Sequence, residues 1–456
     1  MSSPLVTDTR PTDRPAAGPP GLFDQQRLMV AEALSRPLAS YYLVLVCGGL
    51  LLLVGLIMVQ SSSSVYAMVE TGNAYYYFGR QAIFLALGLP VAVVLSRCGE
   101  WGARVPVLRR WLGTDPAAAT ERALKAIGWV AMSISLVLLA AVVFTPLGVE
   151  RNGNRAWLDL GPIEIQPSEL AKVALVLWSA AVFATRQRAL SRPLRLLVPY
   201  LPVSLLVVGL VALEKDFGTM MILAVIVMLQ LWFVGAPARV LAALVGAGTV
   251  LISGLVVFEV LVQGKLLHVC RVVIWANQML GTHLGTQGCL ISDQPANALL
   301  GLATGGWWGV GLGASRQKWG GLYTGAQTDY VFAVLGEEWG LVGSLLVIGL
   351  FCVLGYAGLR IAARSDSLFR RVAAAGLTGW LLVQASINVM VALQLLPVAG
   401  VPLPFLSYGG SGLMAGLIAL GVLLALARQE PAAVAVLTRA PRAKQRWTSV
   451  VAAGGR

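Results

Sequence analysis

The chain has 456 residues, of which 57% are hydrophobic and only 12% are charged, and its formal net charge is +13. Soluble globular domains are typically about 25% charged, so this composition excludes a water-soluble fold and predicts a polytopic membrane protein. The basic residues lie in short loops between apolar stretches, which is typical of membrane orientation and argues against nucleic-acid binding.

Apolar stretches approach the length of about 20 residues that a membrane span requires, and they recur along most of the chain. They predict an all-α integral membrane protein with about ten transmembrane helices. The ten predicted spans are 41–59, 80–96, 126–145, 168–185, 196–213, 219–234, 239–260, 331–357, 372–396 and 408–427. The polar, Pro-rich residues 1–38 predict a disordered cytoplasmic tail, residues 39–428 form the membrane domain, and residues 429–456 form a second cytoplasmic tail.

Lysine and arginine are concentrated in every second loop, namely 97–125, 186–195 and 358–371. Because basic loops stay on the cytoplasmic side, both termini are predicted to be cytoplasmic. The remaining loops face outside, and they are 60–79, 146–167, 214–218, 261–330 and 397–407. Loop 261–330, between predicted helices 7 and 8, is by far the longest and is predicted to fold against the membrane face. Loop 97–125 carries apolar residues on one helical face, which fits either an interfacial helix or a loop that only fixes topology.

Three carboxylates lie in the stretch "TGAQTDYVFAVLGEEWG", at the start of a predicted span. Ionisable groups at membrane depth are costly and by default indicate function. In a regular helix Glu337 lies about 12 Å from Asp329, which is too far for an acid/base pair. We therefore predict that Asp329 takes part in chemistry, and that Glu337 and Glu338 anchor neighbouring helices.

Further polar residues cluster at the outer ends of spans or in outer loops, where they predict one outward-facing polar cavity. Lys172 lies about one turn inside a span and is expected to pair with an anion, for which Asp329 is the predicted partner. Asp216 is predicted to contribute to this cavity, and the alternative is that it only stabilises a turn. The residues predicted to bind or attract the substrate are Lys172, Arg155, Lys318, Arg316, Glu169, Asp216, Gln294 and Ser411.

Two of the five cysteines, Cys270 and Cys289, lie in the long outer loop. Because that side of the membrane can be oxidising, a disulfide between them is predicted, with two buried thiols as the alternative.

Four motifs in order resemble the SEDS family of polytopic peptidoglycan glycosyltransferases, over roughly residues 40–430. They are "NRAWLDLGPIEIQPSELAK", "EKDFGT", "GGWWGVGLGASRQKW" with "TDYVFAVLGEEWGLVG", and "NVMVALQLLPVAGVPLPFLSYGGS". Within the family, "SRQKW" and the long polar tails resemble the division-type FtsW branch more than RodA, and a sporulation-type paralogue is the alternative.

The resemblance implies that the chain polymerises lipid II at the outer face of the cytoplasmic membrane, at the division septum in the FtsW branch. The acceptor would attack a glycan strand linked to undecaprenyl pyrophosphate, and the family's essential Asp corresponds to Asp329. It also implies a divalent cation, Mg or Mn, with unknown ligands. The implied partners are a class B penicillin-binding transpeptidase and other membrane proteins of the divisome or elongasome.

The chain departs from the family pattern beside the predicted cavity. "LYTGAQTD" replaces a shorter L-P-E-x-H before the Asp, Asn297 and Ala298 replace Q-S, Lys215 replaces a Pro, and Gln394 replaces a Gly. A divergent, non-catalytic division scaffold and a transporter or flippase of lipid-linked precursors therefore stay open as alternative functions.

Overall fold

A computed structural model describes residues 32, 34–151, 154–159, 161, 164–187, 193–263, 267–280 and 294–437. Helices dominate the described residues. They are α1 (Ala39–Thr71), α2 (Tyr76–Ser96), α3 (Cys98–Arg104), α4 (Pro106–Leu112), α5 (Pro116–Phe144), α6 (Pro167–Thr185), α7 (Pro193–Leu213), α8 (Phe217–Val234), α9 (Ala238–Gln263), α10 (Leu267–Leu280), α11 (Gln294–Gly305), α12 (Val331–Arg364), α13 (Leu368–Ala392), α14 (Gly410–Ala427) and α15 (Pro431–Leu437).

Eight helices in the described part of the chain are long and apolar enough to cross a membrane, namely α1, α2, α5, α6, α8, α12, α13 and α14. The other two predicted spans correspond to α7 and α9, whose apolar stretches Leu197–Leu213 and Ala238–Val250 are shorter. The prediction of an all-α integral membrane protein is confirmed. The one addition is a small antiparallel sheet in an outer loop, with strands β1 (Gly148–Arg151), β2 (Asn154–Asp159) and β3 (Glu164–Ile165) in the order β1-β2-β3.

Helix α1 continues well beyond the apolar stretch that predicted it. It runs through four consecutive serines, Ser61 to Ser64, and leaves only a short connection to α2. Serine hydroxyls can bond back to carbonyls of the preceding turn, which lets them stay inside a helix. Ser63 Oγ donates to Val59 O at 2.6 Å, and Ser61 Oγ donates to the Glu338 carboxylate at 2.6 Å.

Helix α6 forms the centre of the bundle and is surrounded by α5, α7, α8, α13 and α14. Every residue from Ala171 to Phe183 is buried in the protein. The span therefore faces other helices rather than lipid, which explains how it carries a lysine.

Helix α12 is broken at Gly340, whose φ of 68° and ψ of −163° are not helical. The break releases backbone groups that residues 306–311 satisfy. Val310 N donates to Glu337 O at 2.9 Å, and Leu341 N donates to Gly306 O at 2.9 Å. We call residues 306–320 the Gly-rich segment. A Cβ at position 340 would lie 2.4 Å from Gly309 N, so this contact requires a glycine both for its φ and for its space.

The predicted interfacial helix in loop 97–125 consists of two short helices, α3 and α4, which meet at Val105. Trp101 and Trp111 are exposed there. Of the two predicted tails, only the short helix α15 and the residues next to the membrane domain fall within the described residues.

Candidate functional site

Asp329 lies in a series of tight turns just before α12 begins. Thr328 N and Tyr330 N both donate to Gly325 O, at 3.2 and 3.1 Å, which fixes the turn on either side of Asp329. Asn388 Nδ2 of α13 donates to Asp329 O at 2.8 Å. The backbone of Asp329 is thus held rigidly, while its half-buried carboxylate accepts no hydrogen bond within the described residues.

The loop from Leu393 to Gly409 holds the same turns from the other side. Ser407 Oγ donates to Thr328 O at 2.6 Å, and Tyr408 N donates to Gln327 O at 2.8 Å. A Cβ on Gly400 would lie 3.9 Å from Asp329 Oδ2, so this glycine faces the carboxylate. The Pro- and Gly-rich loop therefore forms a wall of the site, as non-helical backbone at membrane depth does where it lines a cavity.

Burial raises the pKa of Asp329 to about 6, with Arg271 of α10 lowering it and Asp216 raising it. Burial, together with the same Asp216, raises the pKa of Glu214 to about 9. Glu214 is 1% exposed, and neither of its carboxyl oxygens has a hydrogen-bond partner among the described residues. At neutral pH Asp329 is therefore mostly ionised, whereas Glu214 is protonated.

The N-terminal ends of three helices converge beside Asp216. Asp216 caps α8 by accepting from Thr219 N at 3.0 Å. Gln166, the residue just before α6, donates from Nε2 to Asp216 Oδ2 at 3.0 Å, and its backbone N donates to Ser411 Oγ of α14 at 3.0 Å. Because helix N-termini carry partial positive charge, this arrangement favours an anion.

Helix α14 has no side-chain cap at its N-terminus. The backbone amides of Gly410, Ser411 and Gly412 find no acceptor among the residues that the structure describes. Free amides at a helix N-terminus are a common binding place for phosphate groups.

Lys172 does not pair with Asp329, so that prediction is wrong. Its side chain is fully buried, and Nζ donates to Glu169 Oε1 at 2.8 Å and to Gln384 Oε1 at 3.0 Å. Glu169 and Lys172 thus form an ion pair inside the bundle, at i,i+3 spacing on α6. The substrate role predicted for both residues is corrected to a structural one, because each charge is neutralised by the other.

Lys318 is likewise committed to the interior. It is 2% exposed, and Nζ lies 2.8 Å from Glu338 Oε1 and 3.1 Å from Ser61 O. Its predicted contact with pyrophosphate is therefore corrected, because burial removes the ammonium from the outer face.

Glu337 and Glu338 both bind the Gly-rich segment rather than only neighbouring transmembrane helices. Glu337 Oε2 accepts from Ser315 Oγ at 2.5 Å, and Oε1 accepts from Arg316 N at 2.9 Å. Glu338 binds Lys318 of that segment as well as Ser61 of α1. Each of the two carboxylates receives its own set of donors.

Arg155 uses its guanidinium on backbone carbonyls, donating to Thr145 O at 2.6 Å and Gly148 O at 3.2 Å. It holds the small sheet to the end of α5, and its predicted substrate role stays a prediction. Gln294 donates to Thr324 Oγ1 at 2.9 Å and braces the "TGAQ" turn. Arg316 is exposed and stays available on the outer face.

Two of the departures from the family pattern coincide with left-handed backbone. Lys215 has φ of 63° and Gln394 has φ of 59°. A proline cannot adopt φ near 63°, so the turn at Lys215 differs from one built on proline. Gln394 accepts from Trp275 Nε1 at 2.9 Å through its carbonyl, which docks α10 beside the site.

Cys270 forms a disulfide. Its predicted partner, Cys289, lies outside the described residues, so the pairing stays a prediction.

No group of three or more His, Cys, Asp or Glu residues that could hold a metal occurs in the described part of the chain.

Several residues of the site are absent from the sequence prediction, and three of them, Gln384, Asn388 and Arg271, carried a signal. Gln384 and Asn388 are polar residues at i,i+4 spacing in the apolar helix α13, which places them on one face. Arg271 is the one charge in an apolar piece of the long loop. Gln166 precedes "PSE" and gave no local sign of its contact with Asp216.

A family model for cell cycle proteins, FTSW_RODA_SPOVE, matches residues 117–432. The "Probable peptidoglycan glycosyltransferase FtsW" of Mycobacterium tuberculosis is 33% identical over 404 residues, which cover 89% of this chain and 71% of the relative. "Stage V sporulation protein E" of Bacillus subtilis is 32% identical, covering 83% of this chain and 94% of the relative.

Two solved structures share the fold. A chain from work described as "Structural coordination of polymerization and crosslinking by a peptidoglycan synthase complex" has a TM-score of 0.60 at 27% identity, covering 86% of this chain and 97% of that one. The rod shape determining protein RodA of Thermus thermophilus has a TM-score of 0.55 at 26% identity, covering 85% of this chain and 96% of that one. With motifs, fold and relatives in agreement, the chain belongs to the FtsW/RodA/SpoVE family of multi-pass membrane proteins.

Proposed function

We propose that this chain is a peptidoglycan glycosyltransferase that polymerises lipid II at the outer face of the cytoplasmic membrane, in septal wall synthesis during cell division. Relatives that share most of the chain are named as FtsW peptidoglycan glycosyltransferases. The mechanism rests on Asp329. Its backbone is held by Asn388, and its carboxylate has a pKa of about 6 and no bonded cation in the described structure.

In the proposed reaction a sugar hydroxyl of lipid II attacks the anomeric carbon of the lipid-linked strand. The new glycosidic C–O bond forms as the bond from that carbon to undecaprenyl pyrophosphate breaks. Asp329 accepts the hydroxyl proton and later releases it to water. An acid with a pKa of about 6 is largely ionised at neutral pH, which suits a general base.

The leaving pyrophosphate needs positive charge around it. The free amides at the start of α14 and the N-terminal end of α6 supply partial positive charge next to Asp216. Arg271 supplies a full charge close to Asp329, and the exposed Arg316 is a second candidate. These groups replace Lys172 and Lys318 in the proposal.

A divalent cation, Mg or Mn, remains part of the proposal. Mg²⁺ is usually held by one or two carboxylates together with substrate phosphates rather than by a protein cage. Asp216 is a carboxylate close enough to influence Asp329, and it would hold the ion together with the donor phosphates, which leaves Asp329 to act as the base. Such an ion would neutralise charge on the departing pyrophosphate.

A transpeptidase partner is proposed from the similarity to a chain of a synthase complex that coordinates polymerization and crosslinking. A class B penicillin-binding protein would crosslink the strands that this chain makes. The transporter alternative gains no support from the buried charges, because the Lys172 and Lys318 ammonium groups are both closed into ion pairs.

The test is polymerisation of labelled lipid II by the purified chain together with its transpeptidase partner. Asp329→Asn should slow polymerisation by about a hundred- to ten-thousand-fold, the range of general-base catalysis. Asp159→Asn is the matched control, because Asp159 is exposed in the outer sheet and its carboxylate accepts from Gly161 N alone among the described residues. Wild-type rates for Asp329→Asn would refute the mechanism, and equal losses in both variants would point to misfolding.

A further inference from the structure

A cavity of about 270 Å³ with several charged side chains in its wall lies at the end of the bundle opposite Asp329. Its walls come from the C-terminal ends of α2 and α14, the N-terminal end of α5 and the short helices α3 and α15. Helices α2, α5 and α14 are candidate membrane spans, so the cavity lies where they meet the water. Since the basic loops lie at this end, the positive-inside rule assigns it to the cytoplasmic leaflet.

The acidic residues that line the cavity are already used within the protein. Asp115 caps α5, accepting from Ala117 N and Ala118 N at 3.2 Å each. Glu100 forms an ion pair with Arg428. Glu100 is thus neutralised by Arg428, and the capping Asp115 is the one carboxylate of the wall that faces the two remaining guanidinium groups, Arg97 and Arg104.

Two guanidinium groups in the wall have no such partner. Arg97 and Arg104 line the cavity, are exposed, and make no hydrogen bond through their side chains and no ion pair within the described residues. Arginine presents a planar set of donors that matches the geometry of a phosphate group. The unbalanced charge of the cavity is thus positive and suited to a phosphate.

The neighbouring surface has the character of a membrane interface. Trp111 is 83% exposed and Val107 is 71% exposed on α4, and Trp101 of α3 is 38% exposed. Arg109 and Arg110 stand on the same helix as Trp111. Tryptophan and arginine together on short helices are typical of segments that lie among lipid headgroups.

We propose that this cavity binds the headgroup of an anionic phospholipid of the cytoplasmic leaflet, with Arg97 and Arg104 on the phosphate. Basic pockets between helices on the cytoplasmic side commonly bind such headgroups. Phosphatidylglycerol carries a net negative charge, whereas phosphatidylcholine is zwitterionic. The two unpaired guanidinium groups in the wall therefore favour phosphatidylglycerol over phosphatidylcholine.

Native mass spectrometry of the purified full chain in detergent, with added phosphatidylglycerol or phosphatidylcholine, tests the proposal. Wild-type protein should retain phosphatidylglycerol preferentially. The double variant Arg97→Gln/Arg104→Gln should bind it about tenfold more weakly or worse, since each basic group contributes to headgroup affinity. The control Arg109→Gln/Arg110→Gln removes the same charge from α4 outside the cavity and should bind nearly as wild type. Equal weakening in both, or none in the first, would overturn the proposal.

A second variant tests whether the lipid requires the cavity itself or only the charges in its wall. Ala117→Phe fills the cavity while leaving Arg97 and Arg104 in place, and it should also lose phosphatidylglycerol. Retained binding by this variant, with an unchanged melting temperature, would assign the lipid to the open surface instead. Inorganic phosphate serves as competitor: if it displaced phosphatidylglycerol at equal concentration, the ligand would be a free anion and the lipid assignment would fail.

Discussion

The carboxylates of the buried ion pairs each bind a lysine, whereas the carboxylates of the outer site have no bonded cation among the described residues. In the interior, Glu169 and Glu338 each receive a lysine at 2.8 Å, and all four side chains are almost fully buried. In the outer site, Asp329 and Glu214 have no bonded cation in the described structure, and their pKa values are raised. The paired groups stabilise the helix bundle, whereas the unpaired ones keep a proton-binding capacity that chemistry can use.

The largest effect is expected from removing the lysine of a buried ion pair. Lys318→Ala leaves the Glu338 carboxylate buried without its partner, which should cost about 3–5 kcal/mol of stability. Thermal denaturation in detergent measures the loss. Lys125→Ala breaks the half-exposed pair with Glu121 and should cost at most about 1 kcal/mol. Comparable losses in the two variants would mean that the buried pair has no special role.

The contact between the Gly-rich segment and α12 is the next largest test. Gly340→Ala introduces a Cβ 2.4 Å from Gly309 N at a φ of 68°, so it should cost about 2–4 kcal/mol. Gly349→Ala in the same helix meets no atom within 4 Å and should be neutral or slightly stabilising. The melting temperatures of the two variants measure these changes. An unchanged melting temperature in Gly340→Ala would contradict the break observed in α12.

The outer site makes a prediction about pH. With a pKa of about 6 for Asp329, the rate of lipid II polymerisation should fall tenfold for each pH unit below about 6, because the base becomes protonated. Arg271→Gln removes the charge that lowers this pKa, so the acid limb should move up by about one pH unit. Asp216→Asn removes the charge that raises it, so the limb should move down. A pH–rate profile that moves the same way in both variants would exclude Asp329 as the titrating base.

The smallest effect concerns the strained backbone beside the site. Gln394 adopts φ of 59°, which costs a non-glycine residue about 1–2 kcal/mol. Gln394→Gly should therefore raise stability by about 0.5–1 kcal/mol after the entropy cost of glycine. Leu393→Gly, at φ of −84°, should lower it instead. A loss of stability in Gln394→Gly would show that the glutamine side chain makes contributions beyond its backbone.

The sequence was sufficient for most of the spans and for the position of Asp329 just before α12, because apolar runs and isolated charges act locally. It was insufficient to predict which charged side chains form ion pairs. Lys172 requires an anionic partner, and the sequence offers Glu169 on the same helix and Asp329 far along the chain. Lys172 pairs with Glu169 because α6 is buried in the centre of the bundle. The serine run of α1 falls in the predicted loop 60–79, because no local pattern displays contacts such as the hydrogen bond from Ser61 to Glu338 that hold it inside the helix bundle.

Arg271 illustrates the same limit at longer range. It lies 58 positions before Asp329 in the numbering, on a helix whose placement depends on α10 docking against Gln394. Periodicity within α10 says nothing about that docking.

The position of α6 also bears on how the chain enters the membrane during synthesis. Together with α13, it has the lowest mean hydropathy of the eight spans, and it is the most completely enclosed. A segment of this kind gains little by contacting lipid alone. The ion pair between Glu169 and Lys172 is internal to α6, so the emerging helix is electrically neutral before α13 is translated. We therefore expect α6 to await its later neighbours at the insertion machinery, held beside α5, rather than to diffuse away into the bilayer.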